Sequence, residues 1–212
     1  MCLAFAGCSS DGDDASDSTS TARVVQLGGP GDTSRVLTSD EIADQPDRPA
    51  FTDADVAFAQ GMIHHHQQAL EMAALVDERA ERDDLSLLAE RITVSQVDEI
   101  ALLERWLTER GQEIPGHEGG HGELMPGMLT DDEMAVLEAA RGTQFDMLFL
   151  TSMLTHHEGA VTMVQDLFDA GGAIESEMFH LAEGMATDQG VEIARMHEVL
   201  AEVMATSSTT QP

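Results

Sequence analysis

The sequence predicts an all-α fold: a four-helix bundle built from a duplicated helical hairpin, with a short extra helix in the connector. Three observations lead there. Apolar residues recur at helical spacing through most of the chain, Gly and Pro gather in a few short stretches between those runs, and a segment of the first half returns 91 positions later. Strand-like alternation with turn pairs is absent, and 212 residues at 42% hydrophobic content suit one core plus a tail.

Phe5-Ala6-Gly7-Cys8-Ser9-Ser10 resembles the end of a bacterial or archaeal lipoprotein signal, with Cys8 as the residue that takes the lipid. An ordinary frayed terminus with an incidental Cys is the alternative. From Ser9 to about Pro49 the chain is rich in Ser, Thr, Asp, Gly and Pro and too poor in apolar groups to offset the entropy of ordering. Residues 1–50 are therefore read as a signal remnant and disordered acidic tether, 51–206 as the four-helix bundle and 207–212 as a disordered tail.

The first helix is expected from about Asp53 to Ala80 with Thr52 or Asp53 as N-cap, and the second from about Asp84 to Arg110, closed by Gly111. Gly111 to Leu129 holds six Gly and two Pro and reads as a connector. Thr130 with Glu133 makes a capping box for a short helix ending near Arg141-Gly142. Two long helices follow, about Thr143 to Ala170 and Ile174 to Thr206, parted by Gly171-Gly172.

Charge and cysteine content exclude whole classes of function. Forty acidic residues against ten Arg and no Lys give a formal charge of -30, which repels nucleic acid and anionic headgroups. That charge either attracts cations or simply solvates the surface. Cys2 and Cys8 are the only cysteines, so the helical body has no thiol for a disulfide, a nucleophile or a zinc-thiolate site. No stretch approaches the roughly twenty apolar residues of a spanning helix, which leaves a lipid anchor at Cys8 as the membrane contact. The expected location is a membrane-anchored, exported lipoprotein facing the periplasm or the cell exterior.

The repeat is the most informative feature. Asp55 aligns with Asp146, Phe58 with Phe149, Met62 with Met153, His65 and His66 with His156 and His157, Ala69 with Ala160, and Met72 with Met163. After a two-residue slip, Gln96, Glu99, Ile100 and Leu103 align with Gln189, Glu192, Ile193 and Met196. One amphipathic hairpin cannot bury its stripe alone, whereas two can close a bundle and bring matched residues face to face.

At about 100° per residue, Phe58, Met62, Ala69 and Met72 form one stripe, with His65 and His66 on either side of its centre and His64 pointing away. On the second helices, Ile92, Gln96, Glu99 and Leu103 share a stripe, as do Met185, Gln189, Glu192 and Met196. Facing histidines are the expected partners of these buried polar groups. Four His and two Glu can ligate a metal, or Glu99 and Glu192 can accept the second imidazole N–H and orient a ligating nitrogen. Without a metal the same set would fix bundle register through hydrogen bonds.

Ligand softness selects copper among metals, because imidazole and thioether suit it and the body has no thiol. Met62, Met72, Met153 and Met163 lie one or two turns from the histidines and serve either as soft ligands or as core filler. The connector adds His117, His121, Met125 and Met128 among glycines, either a run that folds around a soft ion or a solvated loop.

At Met125-Pro-Gly-Met-Leu, Phe145-Asp, Met153-Leu-Thr-His-His-Glu-Gly-Ala and Gln189-Gly-Val-Glu-Ile the chain resembles the domain-of-unknown-function family numbered 305, over about Asp53 to Met204. The resemblance implies a ferritin-like four-helix bundle, and the family includes periplasmic copper-binding proteins linked to copper resistance. Carried over by position, the His-His pairs and nearby Met residues would be the metal candidates. True ferritin-like di-iron proteins carry Glu-x-x-His pairs, whereas Gln96-x-x-Glu99 and Gln189-x-x-Glu192 stand here.

Three functions follow. The first is copper sequestration or transfer at the cell surface, with no turnover required. The second is a di-iron oxidase or oxygen carrier bridged by Glu99 and Glu192. The third is a metal-free surface protein whose polar core sets register. Binding is favoured over catalysis, since no nucleophile with a base and no phosphate-cradling loop appears. The protein partner is not legible.

Overall fold

The computed structural model describes residues 25–26, 35–36, 38, 51–116 and 124–209. Backbone contacts divide the chain into Met1–Arg48 and Pro49–Pro212. In the first unit, β1 (Val25–Gln26) and β2 (Arg35–Val36) form a two-residue antiparallel ladder with Val25 opposite Val36. This ladder departs from the expected structureless tether, and β-branched valines on both strands are its local cause. Both cysteines lie outside the described residues, as does most of the tether.

The second unit holds α1 (Asp53–Ala74), α2 (Val76–Arg79), α3 (Asp83–Glu109), α4 (Asp131–Ala139), α5 (Gly142–Asp169) and α6 (Ser176–Thr209). Thr52 is the N-cap of α1 in a reciprocal capping box with Asp55, and Thr130 caps α4 in the same way with Glu133. Each box satisfies backbone N–H groups that the first turn of its helix would otherwise leave unpaired.

Three boundaries differ from expectation, each for a local reason. The first helix breaks at Leu75, whose N–H bonds to Met72 O three residues back, a tightened turn that interrupts the α ladder. The last helix starts at Ser176 rather than Ile174, because Ala173 takes a positive φ of 56° and its N–H is held by Asp55. It also continues to Thr209 instead of ending near Thr206, with no Gly or Pro in that stretch to stop it.

The long helices sort their apolar residues into two layers. One joins Ala69, Met72, Leu85, Ile92, Phe145, Phe149, Met153 and Met196. The other joins Phe58, Met62, Leu103, Trp106, Ala160, Met163, Met178 and Met185. The end of α1 thus packs with the start of α3 and of α5, so α1 runs antiparallel to both, and α6 runs antiparallel to α5. A chain leaving α3 at one end of the bundle must cross its whole length before entering α5, which explains the long connector.

The described parts of that crossover touch α1 and α2. Gln60 donates to Glu113 O, Gln68 bonds Leu129, and Arg79 donates to Glu138 O. Met125, Pro126, Gly127 and Met128 form a turn closed by Met128 N–H to Met125 O at 3.1 Å, with Gly127 at φ 78° where only glycine is unstrained.

Two matched bonds join the hairpins at their ends. Asp55 Oδ1 accepts the N–H of Ala173 at 2.5 Å, and Asp146 Oδ1 accepts the N–H of Glu81 at 3.0 Å. Each first-helix aspartate therefore holds the turn of the opposite hairpin. Burial pushes the Asp146 carboxyl up from its usual range, against the opposing pull of the Glu81 hydrogen bond.

Candidate metal centre

Between the two apolar layers lies a polar one. Each long helix contributes two side chains to it: His65 and His66 from α1, Gln96 and Glu99 from α3, His156 and His157 from α5, Gln189 and Glu192 from α6. All eight are buried, the glutamates at 6% and 9% exposure and the four histidines at no more than 1%. Helical periodicity puts them there, since each pair falls on the inward stripe midway along its helix.

Two of the imidazoles are engaged alike. His66 Nε2 donates to Glu99 Oε2 at 2.5 Å, and His157 Nε2 donates to Glu192 Oε2 at 2.7 Å. In both rings Nδ1 is buried with no protein partner. A carboxylate that takes one N–H fixes the ring and leaves the other nitrogen with its lone pair available.

His65 and His156 meet across the α1–α5 interface with ring centroids 3.8 Å apart and planes inclined at 36°. Burial first, and then the neighbouring His66, hold the His65 pKa down at about 3. Burial and then His65 hold His156 well below its usual value. Both rings are therefore neutral at pH 7, the state in which imidazole binds a metal. His65 Nε2 lies 3.0 Å from Pro126 O, while His65 Nδ1 and His156 Nε2 have no protein partner.

The expected partners of the glutamines are not present. Gln96 and Gln189 have both amide atoms buried and unbonded, while Glu99 and Glu192 take the Nε2 atoms of the second histidine in each pair. Among the described residues no three His, Cys, Asp or Glu side chains converge as a metal-holding group. The imidazoles are held in pairs rather than in a closed shell.

The methionines divide between the layers. Met62 and Met163 pack in one and Met72 and Met153 in the other. Met125 lies over Gly61, one helical turn before His65, where an added Cβ would stand 3.1 Å from Met125 Sδ and 3.4 Å from Met163 Cε. Those two thioethers are thus brought together beside the histidine layer. Met128 turns to a groove between α4 and α5 instead, along with Leu137 and Leu148. His117 and His121 lie outside the described residues, and His64 is half-buried.

On the α3–α6 side a groove of about 440 Å³ is lined by Glu90, Val94, Asp188, Val191 and Glu192. Burial, then Glu99, then Glu192 push the Asp188 carboxyl up from its usual range. Glu192 thus connects this acidic groove with His157.

Sequence reasoning missed the residues that bring the connector to His65. Gln68 takes Leu129 in two bonds, Nε2 to O at 2.9 Å and N–H to Oε1 at 2.8 Å. Gly159, in mid-helix, admits the connector so closely that any side chain there would collide with the Pro126 carbonyl. A glycine inside a helical run, destabilising by about 1 kcal/mol against Ala, was the available signal of close backbone approach.

The model of DUF305, a domain of unknown function, matches residues 55–200. No curated protein matches the chain. Among solved structures, a DUF305 protein from Streptomyces coelicolor is 33% identical with a TM-score of 0.63, covering 71% of this chain and 92% of its own. A DUF305 fragment from Deinococcus radiodurans is 32% identical with a TM-score of 0.64, covering 73% and 99%. CopM in its Cu(II)-bound form is 29% identical with a TM-score of 0.58, covering 70% and 96%. CopM is also known in Cu(I)-bound, silver-bound and apo forms.

Proposed function

The chain belongs to the DUF305 family, and from that footing we propose that it is an exported metal-binding protein that sequesters copper or hands it over at the cell surface. One observation carries the reading: four buried imidazoles each keep one ring nitrogen without a protein partner, and two of them are oriented through the other nitrogen by a carboxylate. Leaving such atoms unpaired costs about 1–3 kcal/mol each, a cost a bound ion would offset.

His65, His66, His156 and His157 would be the nitrogen ligands, with Met125 and Met163 as the nearest thioethers. Met62, Met72 and Met153 serve first as packing in the apolar layers. Imidazole with thioether suits copper, and the likeness to CopM, which binds Cu(I), Cu(II) and silver, supports the same preference. A di-iron centre draws no support from a geometry that engages one oxygen of Glu99 and of Glu192 with an imidazole. Cys8 would carry a lipid that tethers the bundle outside the membrane, and among the described residues no helix is long and apolar enough to cross one. No turnover is required of such a protein.

The test is a titration with Cu(I), Cu(II), Zn(II) and Fe(II) against competing chelators, in the native chain and in a variant with Ala at His65, His66, His156 and His157. Tight, copper-selective binding should vanish in the variant while circular dichroism still reports the helices. Equal affinity in the two proteins would rule out this site, and preference for iron would transfer the case to di-iron chemistry.

A further inference from the structure

The matched histidines His65 and His156 are not equivalent, and the crossover is the reason. The described connector segment Met125–Leu129 passes over His65, and there the Pro126 carbonyl meets His65 Nε2 at 3.0 Å. A carbonyl can only accept, so the proton sits on Nε2 and the lone pair on Nδ1, which is buried and unpartnered. On His156 the unpartnered nitrogen is Nε2.

Nothing in the Met125–Leu129 strap is left loose at this point. Gln68, one turn beyond His65 on α1, takes both backbone polar groups of Leu129. On the other side Gly159 and Gly127 let the strap rest directly on the α5 backbone at Thr155 and His156. The turn itself depends on Gly127 at φ 78°.

Resting on the copper-binding reading, we infer that the strap is a positioning device: the Pro126 carbonyl, held by Gln68 and by the side-chain gap at Gly159, keeps His65 in the Nε2–H tautomer so that it offers Nδ1 to a soft metal. His66 and His157 reach the same tautomer through Glu99 and Glu192. A backbone carbonyl in the strap thus does for His65 what a carboxylate on the second helix does for its neighbours.

Long-range proton–nitrogen NMR on the full-length, metal-free, nitrogen-15-labelled chain reads the tautomer of each ring without any metal. His65 should appear as Nε2–H in the native protein. Gly159→Ala pushes the strap off α5, and Gln68→Ala, a milder change that leaves α5 untouched, releases Leu129. In either variant His65 should become a tautomer mixture while His66 and His157 stay Nε2–H, and Cu(I) affinity should fall about tenfold or more. Gln68→Glu, which keeps the acceptor for Leu129 N–H, should restore part of both. An Nδ1–H tautomer at His65 in the native chain would overturn the inference, as would a native tautomer that persists in Gln68→Ala. Failure of the native chain to bind Cu(I) would count against the copper reading alone, since the tautomer is decided without metal.

Discussion

The apolar layers and the polar layer between them are made by the same four helices, yet they satisfy their side chains very differently. In the apolar layers Leu85, Ile92, Phe145 and Phe149 on one side and Met62, Leu103 and Leu107 on the other are fully buried within their own clusters, and Trp106 in the second keeps one buried N–H without a partner. In the polar layer eight side chains are buried too, and there His66 and His157 find a glutamate and His65 the strap, while both amide atoms of Gln96 and Gln189 find no partner. On this count the apolar layers should carry most of the stability, with the middle of the bundle contributing least.

The contrast is broken most directly in the apolar part. Phe149→Ala should cost about 3–5 kcal/mol, read as a lower urea midpoint. The folded fraction should still bind Cu(I) as the native chain does; a loss below about 1 kcal/mol would erase the distinction between the layers. Acid attacks the middle instead. The unfolded chain takes up a proton on His65 near pH 6.5, whereas the folded chain resists until about 3. Protons therefore favour unfolding across that window, and His156 adds to the effect in the same direction. For the metal-free protein, stability should fall as pH drops below 6.5, by roughly 3 kcal/mol at pH 4 from His65 alone. Denaturation curves that superimpose at pH 7 and pH 4.5 would contradict the buried neutral pair.

The smallest effect sharpens the comparison by turning the middle apolar. Gln96→Leu combined with Gln189→Leu removes two unpaired amides at nearly constant volume and should raise stability by about 1 kcal/mol or more. A drop instead would mean that the amides find partners in solution.

Much of this was legible in the sequence because it follows from periodicity. Four long helices, the capping box at Thr130, and the inward placement of the His-His pairs with Glu99 and Glu192 all read from spacing along single helices, whereas the choice between Thr52 and Asp53 as the first N-cap, and the box Thr52 makes with Asp55, did not. That histidines would face these polar groups followed from matching inward stripes, but which histidine meets which glutamate, His66 with Glu99 and His157 with Glu192, did not. What could not be read depends on the path of the crossover. Whether Pro126 or some other residue would sit over His65 is set by Gln68, Gly159 and the turn at Gly127 acting together, across separations of 61 residues for the first contact. The glutamines were misjudged because a stripe says which groups share a face, not which of them come within bonding distance. The break at Leu75 was invisible for a simpler reason: the helix shifts its bonding by one residue with no Gly or Pro to mark it.

The paired aspartates have a consequence for how the chain must fold. Asp55 sits near the start of the first hairpin and fastens the turn of the second, and Asp146 returns the favour at the turn of the first. Neither clasp can form within one hairpin, so neither half possesses a finished turn by itself. The separations are 118 and 65 residues, and both require the crossover to be closed before they engage. Cutting the chain in the connector should therefore give two fragments that are each incomplete at the same place, and assembly of the bundle becomes a single concerted event rather than the docking of two preformed pieces.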